Sequence, residues 1–205
     1  MVRGGLNRTA ASLSSFKTSV EQNGGYYIAR YEASWSNDNN VKVRTIKTEK
    51  KPLTSEPSDT NTRQDGQLWN FVTEIDAAGF CQNLYSGINS DLMNSYAWDT
   101  AIVFMQTFDD RADKTTPYSY QTSRNTIGPA NTGVNNDEVC KINDMASNVY
   151  EWTTEYSTCQ DSGRAYPCVY RGGYCNSTRD YTAGRSYSIS AGGSKIKTFR
   201  PTLYL

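Results

Sequence analysis

The sequence predicts a loop-rich α+β fold with two helices and a small antiparallel sheet. The first half of the chain contains apolar residues three and four apart, a spacing typical of helices. The second half contains short Tyr-, Trp- and Thr-rich stretches separated by Gly, Asn and Asp, a pattern typical of strands. The chain is also polar, with 37% hydrophobic residues among 205. We expect one domain spanning residues 1–205.

Three segments have helical spacing. Residues 10–23 favour a short helix, residues 74–85 continue the same spacing, and residues 94–108 give the strongest pattern. The apolar residues that define these patterns are Leu13, Phe16 and Val20 in the first segment, Ile75, Ala78 and Leu84 in the second, and Trp98, Ile102, Met105 and Phe108 in the third.

Strand-like stretches and loops fill the remaining chain. Residues 36–66 are charged, contain prolines and are poor in apolar residues, so we expect a surface excursion. Residues 109–136 are rich in Thr, Ser, Asn, Gly and Pro and are expected to form a loop. The strand-like stretches are residues 26–31, 41–46, 149–154, 168–171 and 199–205.

Charge and hydropathy exclude several classes of protein. The chain contains 21 Lys and Arg residues and 21 Asp and Glu residues, so its net charge is zero. Without an excess of positive charge, we expect no nucleic-acid partner. No run of 18 apolar residues is present, and we expect no membrane insertion. Residues 1–16 also lack the apolar core of a signal peptide.

Histidine and cysteine usage limits the chemistry. Histidine is absent, which removes histidine-based catalysis and most zinc, copper and iron sites, so we predict no metal and no cofactor. The five cysteines form no CxxC motif. Cys159 and Cys168 flank a polar turn and are the best candidates for a disulfide across a hairpin, with two free thiols as the alternative.

Four motifs occur in the order found in one known family. They are residues 26–32 (YYIARYE), 95–101 (SYAWDTA), 143–152 (NDMASNVYEW), and the pair 170–173 (YRGG) with 198–203 (TFRPTL). With these motifs the chain resembles formylglycine-generating-enzyme-like domains, also called sulfatase-modifying-factor domains. The resemblance implies a variant of the C-type lectin fold in which the N- and C-terminal strands meet in one sheet.

Most residues of these motifs are expected to support the fold. Gly172 and Gly173 allow tight passage of the chain. Trp152 and Phe199 are expected in the core. We also expect buried ion pairs, with Arg171 and Arg200 facing Glu151 or Asp144.

An enzyme is the alternative function. The resemblance implies that an oxidase of this family needs two cysteines after the Arg-Gly-Gly turn to bind copper, and that related enzymes need histidines. Here only Cys175 follows the turn, and Asp180 stands five residues further on. We therefore predict no catalysis and a surface or half-buried Cys175. A formylglycine-generating-type oxidase or another thiol-dependent activity, with Arg179 and Arg185 activating the thiol, remains the alternative.

The composition of residues 174–197 favours ligand binding instead. This stretch is rich in Tyr, Ser, Thr and Gly and contains no Leu, Val, Phe, Trp or Met, as in antibody-like recognition surfaces. Its place between the turn and the closing strand resembles the variable segment of variable proteins from diversity-generating retroelements. In those proteins, mutagenesis of adenines yields the residue types found at 174–190.

We therefore predict a non-catalytic receptor-recognition protein whose residues 171–205 form the ligand-binding segment. The resemblance implies a protein or glycan ligand on a target cell and a location on a phage virion or a bacterial surface, or in the secreted fraction. Arg179, Lys195 and Lys197 favour an acidic or phosphate-bearing ligand. The predicted ligand-binding residues are Tyr174, Asn176, Ser177, Thr178, Arg179, Asp180, Tyr181, Arg185 and Tyr187.

Overall fold

A computed structural model describes residues 4–38, 43–48, 50–59, 62–82, 84–111, 129–134, 137–175, 182–189 and 192–205, with side chains from residue 13 onward. In this part of the chain the three helices lie in the first half with a few short strands, and only strands follow α3. The elements are α1 (Gly4–Asn23), β1 (Tyr27–Ile28), β2 (Ser34–Trp35), β3 (Val43–Arg44), α2 (Glu74–Cys81), β4 (Asn89–Leu92), α3 (Ser95–Thr107), β5 (Glu138–Val139), β6 (Ile142–Asn143), β7 (Tyr150–Tyr156), β8 (Gln160–Asp161), β9 (Arg164–Ala165), β10 (Cys168–Arg171), β11 (Arg185–Ser188), β12 (Lys197–Phe199) and β13 (Pro201–Tyr204).

All three segments with helical spacing are helices, one more than the two predicted. Helix α2 begins after Thr73, whose hydroxyl accepts a hydrogen bond from the Asp76 N–H. Helix α3 begins after Asn94, whose side chain accepts from the Ala97 N–H. These side chains satisfy N–H groups that have no partner within the helix. None of the described helices combines the length and apolar character needed to cross a membrane.

The two ends of the chain meet in a three-stranded antiparallel sheet. Strand β13 lies between β1 and β4, so the N- and C-terminal strands pair as the family resemblance implies. This arrangement places the closing Thr-Phe-Arg motif beside the opening strand. The mixed, loop-rich architecture confirms the predicted α+β class.

A four-stranded sheet, in the order β11-β10-β7-β12, contains Arg171, β11 and β12 of the predicted ligand-binding segment. Strands β7, β10 and β11 are antiparallel neighbours, whereas β12 pairs with β7 in parallel. The parallel pair differs from the antiparallel sheet that we predicted. It arises because the chain leaves β11, crosses to the far side of β7 and re-enters the sheet in the same direction.

The apolar core consists of two clusters. One joins α3, through residues such as Trp98 and Met105, to α1 and the loop around Met145. The other surrounds Trp152 and Phe199, which are both fully buried, as predicted. The indole N–H of Trp152 donates to the carbonyl of Val72 at 2.9 Å, which ties β7 to the chain before α2.

The described part of residues 36–66 lies largely at the surface but has buried anchor points. Val43, Thr48 and Arg63 are buried, whereas most of their neighbours are exposed or half-buried. Arg44 forms an ion pair with Asp65 at 2.8 Å, which joins the two ends of the excursion. The excursion is therefore fixed to the fold at several places.

The disulfide considered between Cys159 and Cys168 is not formed. The hairpin predicted between them exists, formed by β8 and β9, but its register keeps the cysteines apart. The Tyr166 N–H donates to the Cys159 carbonyl, so Tyr166 lies opposite Cys159. Cys168 pairs with Tyr156. The two cysteines therefore occupy different positions of the ladder.

Candidate ligand-binding surface

A buried ion pair lies beneath the candidate surface. Arg200 and Glu151 are both almost inaccessible to solvent, and the guanidinium contacts the carboxylate through Nε at 3.0 Å and Nη2 at 2.7 Å. The same guanidinium donates to the carbonyls of Ala29 and Asn143, both at 2.7 Å. The predicted pairing of Arg200 with Glu151 is confirmed. Arg200 thus joins the opening strand, the central motif and the closing strand.

Asn148 connects this interior to the start of the ligand-binding segment. Its side-chain amide donates to the buried carboxylate of Glu32 and accepts from the Ala130 N–H. Its backbone carbonyl accepts from the Cys175 N–H at 2.9 Å. Asn148 has a φ of 65°, a left-handed conformation that Asn tolerates better than most residues. Asn148, in the motif at residues 143–152, therefore holds the backbone of Cys175 in place.

Arg171 was predicted to pair with Glu151 or Asp144, and this pairing is wrong. Its buried guanidinium contacts Asp99 and, at 3.2 Å, Glu155. Glu151 is the cross-strand neighbour of Arg171, but Arg200 already occupies both of its carboxylate oxygens. The side chain of Arg171 therefore extends along the sheet toward the next carboxylate on β7.

Gly172 makes the tight passage that the sequence predicts. Its φ is 82°, in the left-handed region that side chains disfavour. A Cβ atom here would lie 2.7 Å from the Met145 carbonyl oxygen and 3.2 Å from the ring of Trp98. The Gly172 N–H donates to the carbonyl of Gly184 at 3.2 Å, which links this turn to the residue before β11.

Several main-chain carbonyls between Thr182 and Ile196 accept hydrogen bonds from the surrounding fold. The Trp98 indole donates to the Thr182 carbonyl at 2.9 Å, and the Arg171 Nε donates to the Gly184 carbonyl at 3.0 Å. Near its C-terminal end, the segment offers three more carbonyls to scaffold N–H groups. These acceptors are Ser194 for Phe71 N, Lys195 for the Asn70 side chain, and Ile196 for Tyr150 N.

The described ligand-binding residues lie on two faces of the four-stranded sheet. Arg185 and Tyr187 belong to β11, with 43% of the Arg185 side chain and 38% of Tyr187 exposed. Tyr174 is half-buried against the ring of Tyr150, at 4.9 Å between centroids, on the opposite face. The other predicted residues, Asn176, Ser177, Thr178, Arg179, Asp180 and Tyr181, lie outside the described residues.

Glu155 is a residue of this surface that the sequence analysis missed. Its carboxylate contacts Arg185 at 2.5 Å and Arg171 at 3.2 Å, which links the exposed edge strand to the buried turn. A signal was available. Glu155 directly follows the predicted strand 149–154 and lies four residues after Glu151, and side chains two or four apart in a strand share a face.

Cys175 is fully buried, which contradicts the expected surface or half-buried position. Arg185, which was considered as an activator of this thiol, pairs with Glu155 instead. A thiol that reacts with substrate needs access to it as well as a lowered pKa. Among the described residues, no group of three or more Cys, Asp or Glu side chains is arranged to hold a metal ion.

The raised pKa of the buried Asp144 carboxyl is expected to make the protein more stable at mildly acidic pH than at neutral pH. Burial is the main reason why its pKa is raised from 3.8 to about 6. Hydrogen bonds from Gly133 and Thr132 act in the opposite direction and lower the pKa by a smaller amount. The folded state therefore binds a proton that the unfolded state releases, so this group adds stability as pH falls from about 6 toward 3.8. We expect Asp144→Asn, which is uncharged at any pH, to be more stable than wild type at pH 7.

Urea denaturation of both proteins at pH 7 and pH 5 measures this effect. The difference in free energy of unfolding between Asp144→Asn and wild type is expected to shrink at pH 5, because wild-type Asp144 is then protonated. A difference that stays constant or grows at pH 5 would show that the carboxylate is not held at a raised pKa.

Comparisons with known proteins identify the fold. The sequence matches no protein-family model and no curated protein. Variable protein 1 of Treponema denticola is similar in structure, with a TM-score of 0.54, 13% identity, and coverage of 88% of this chain and 99% of that one. CarF has a TM-score of 0.58 and 14% identity over 88% of this chain and 86% of its own. PvdO from Pseudomonas aeruginosa has a TM-score of 0.50 and 13% identity over 92% and 76%, respectively.

These similarities confirm the resemblance on which the fold prediction rests. The chain has a C-type lectin fold of the formylglycine-generating-enzyme type. TM-scores of 0.50–0.58 establish the shared fold, whereas identities of 13–14% leave the function to the chemistry of the site.

Proposed function

We propose, starting from the fold that this chain shares with variable protein 1, that it is a non-catalytic ligand-binding protein. In this proposal it is the variable protein of a diversity-generating retroelement. Residues 174–190 form the surface that diversifies, and the ligand is a protein or glycan on a target cell. The protein acts from a phage virion, from a bacterial surface or after secretion.

The way in which the scaffold holds this segment carries the proposal. Scaffold groups donate to the carbonyls of Thr182 and Gly184 within residues 174–190, and to those of Ser194, Lys195 and Ile196 shortly after them. Every residue type supplies the same carbonyl, so these attachments do not depend on the side chains. A protein that must keep its fold while its binding surface changes requires such attachments.

The exposure of β11 also supports the proposal. Residues 185 and 187 are exposed while 186 and 188 are half-buried, so side chains alternate between solvent and the opposite face of the sheet. Tyr187 and Arg185 are residue types that contribute strongly to binding, because Tyr offers a large rigid contact area and Arg several donors. Tyr187 is therefore a suitable residue with which to test binding.

Binding to intact cells tests the proposal. The labelled protein is incubated with a panel of bacterial cells, and the bound fraction is compared for wild type, Arg185→Ala/Tyr187→Ala and Tyr27→Ala. We expect the double variant to lose about tenfold or more in affinity, since each truncated anchor contributes roughly 1–2 kcal/mol. Its melting temperature is expected to change little, because both side chains are partly exposed at the sheet edge and Glu155 keeps Arg171 as a partner when Arg185 is removed.

The control variant separates recognition from general surface effects. Tyr27 is 69% exposed but belongs to the other sheet, in β1. Tyr27→Ala is expected to bind cells like wild type. Equal binding by all three proteins, or a collapse in the melting temperature of the double variant, would contradict the proposed surface.

A further inference from the structure

One face of the four-stranded sheet carries aromatic rings around a single lysine. Tyr150 and Trp152 of β7 and Tyr170 of β10 share this face by register, since Tyr170 lies opposite Trp152. Lys197 of β12 joins them because it lies beside Tyr150. We call these four residues the lysine–aromatic face.

The amine of Lys197 lies directly over the rings. Its Nζ is 4.2 Å from the ring centroid of Trp152 and 4.7 Å from that of Tyr170, distances typical of cation–π contacts. The nearest hydrogen-bond acceptor given by the structure is the hydroxyl of Ser188, at 3.4 Å. Ser188 belongs to β11 and faces the same side as Tyr170.

This amine is half-buried and has no carboxylate within ion-pair distance among the described residues. Burial lowers the pKa of Lys197, while Cys168 and Glu74 raise it by smaller amounts. Cation–π contacts offset only part of the cost of removing an ammonium group from water. An anionic group placed beside the amine would therefore gain a strong, partly desolvated interaction.

We propose that the lysine–aromatic face binds the carboxylate of an acidic sugar, with Lys197 as its anchor. This inference rests on the proposed function, because it gives the ligand-binding segment an acidic glycan as its ligand. The glycan binds on the face of the sheet opposite the exposed side chains of Arg185 and Tyr187. The ammonium group pairs with the carboxylate, the hydroxyl of Ser188 hydrogen-bonds the sugar, and the rims of the tyrosine rings contact the sugar ring.

The composition of this face favours a sugar over an acidic protein. Its half-buried side chains are the phenol rings of Tyr170 and Tyr174 and the hydroxyls of Ser186 and Ser188. A protein partner would need an apolar centre to its interface, whereas a sugar needs hydroxyl partners and a flat ring to contact. An acidic protein is the competing ligand, and the experiment includes it.

Titration with small probes tests this assignment. Lysine labelled with ¹³C at its ε carbon reports on Lys197 by NMR as glucuronate, glucose, acetate or oligoglutamate is added. We expect glucuronate to shift the Lys197 signal in a saturable manner and to bind at least about tenfold more tightly than glucose or acetate. The shift occurs in the wild-type protein, so it needs no variant to fold.

Two variants then locate the binding. Lys197→Gln is expected to weaken glucuronate binding by about tenfold or more, because it removes the charge that pairs with the carboxylate. Lys195→Gln removes a neighbouring charge from an exposed side chain and is expected to bind like wild type. The melting temperature and the methyl spectrum of each variant confirm its fold.

Every alternative outcome overturns the inference. Equal binding of acetate and glucuronate would mean a simple anion site, and binding of oligoglutamate without glucuronate would mean a protein ligand. Equal loss in both lysine variants would mean general charge attraction. If glucuronate fails while Arg185→Ala/Tyr187→Ala still loses cell binding, the proposed function stands and only the acidic-sugar assignment falls.

Discussion

Replacement of Arg200 by Met is expected to lower the free energy of unfolding by about 3–5 kcal/mol. Met fills much of the volume of Arg but leaves the carboxylate of Glu151 buried without its partner. The carbonyls of Ala29 and Asn143 lose donors at the same time. Urea denaturation monitored by tryptophan fluorescence measures the change.

A second substitution distinguishes an unpaired charge from lost packing. Arg200→Met/Glu151→Gln carries no buried charge at this pair and is expected to recover part of the stability lost by Arg200→Met alone. A double variant that is less stable than Arg200→Met, or a single variant within 1 kcal/mol of wild type, would contradict the role assigned to the ion pair.

Replacement of Gly172 by Ala is expected to cost about 2 kcal/mol or more. The new Cβ would lie 2.7 Å from the Met145 carbonyl oxygen, in a backbone conformation with φ of 82°. Left-handed backbone alone costs a residue with a side chain roughly 1–2 kcal/mol, and the contact with backbone adds to this cost. The melting temperature and the urea midpoint measure the loss.

Gly163 provides a matched control. It has a φ of 76°, but nothing lies within 4 Å of the position that a Cβ would occupy. Gly163→Ala therefore carries only the conformational cost, and Gly172→Ala is expected to be clearly less stable. Equal losses in the two variants would show that the close approach of Met145 and Trp98 contributes nothing to the turn.

The sequence predicted the elements whose pattern is local. The spacing of Trp98, Ile102 and Met105 placed α3, and these residues are buried on one face of that helix. The Tyr-, Trp- and Thr-rich stretch at 149–154 corresponds to β7, which extends to Tyr156. The structure therefore confirms the fold class that periodicity and motifs predict.

Features that depend on long-range register were not predictable. The parallel pairing of β12 with β7 and the separation of Cys159 from Cys168 follow from how distant strands align. The partner of Arg171 also depends on Arg200, which is distant in sequence and occupies the nearer carboxylate. A local sequence pattern does not show which of two distant arginines, Arg171 or Arg200, pairs with Glu151.

The sequence predicts the ligand-binding residues as one segment, but it does not predict which face of the sheet each of them occupies. The sequence placed Tyr174, Arg185 and Tyr187 in one ligand-binding group, whereas the structure places Tyr174 and β11's exposed side chains on different faces. Lys197 entered the prediction only as a positive charge. Its position over two aromatic rings required the crossing of the chain from β11 to β12.

The most direct test of the central claim is deep sequencing of this gene in a population of the cells or phages that carry it. The account predicts substitutions concentrated in codons 174–190, at adenines, with codons 143–152 unchanged because they encode the motif that supports the segment. A nearby reverse transcriptase gene with a near-copy of the 3′ end of this gene is expected as well. A substitution frequency in codons 174–190 no higher than in codons 143–152 would contradict the account.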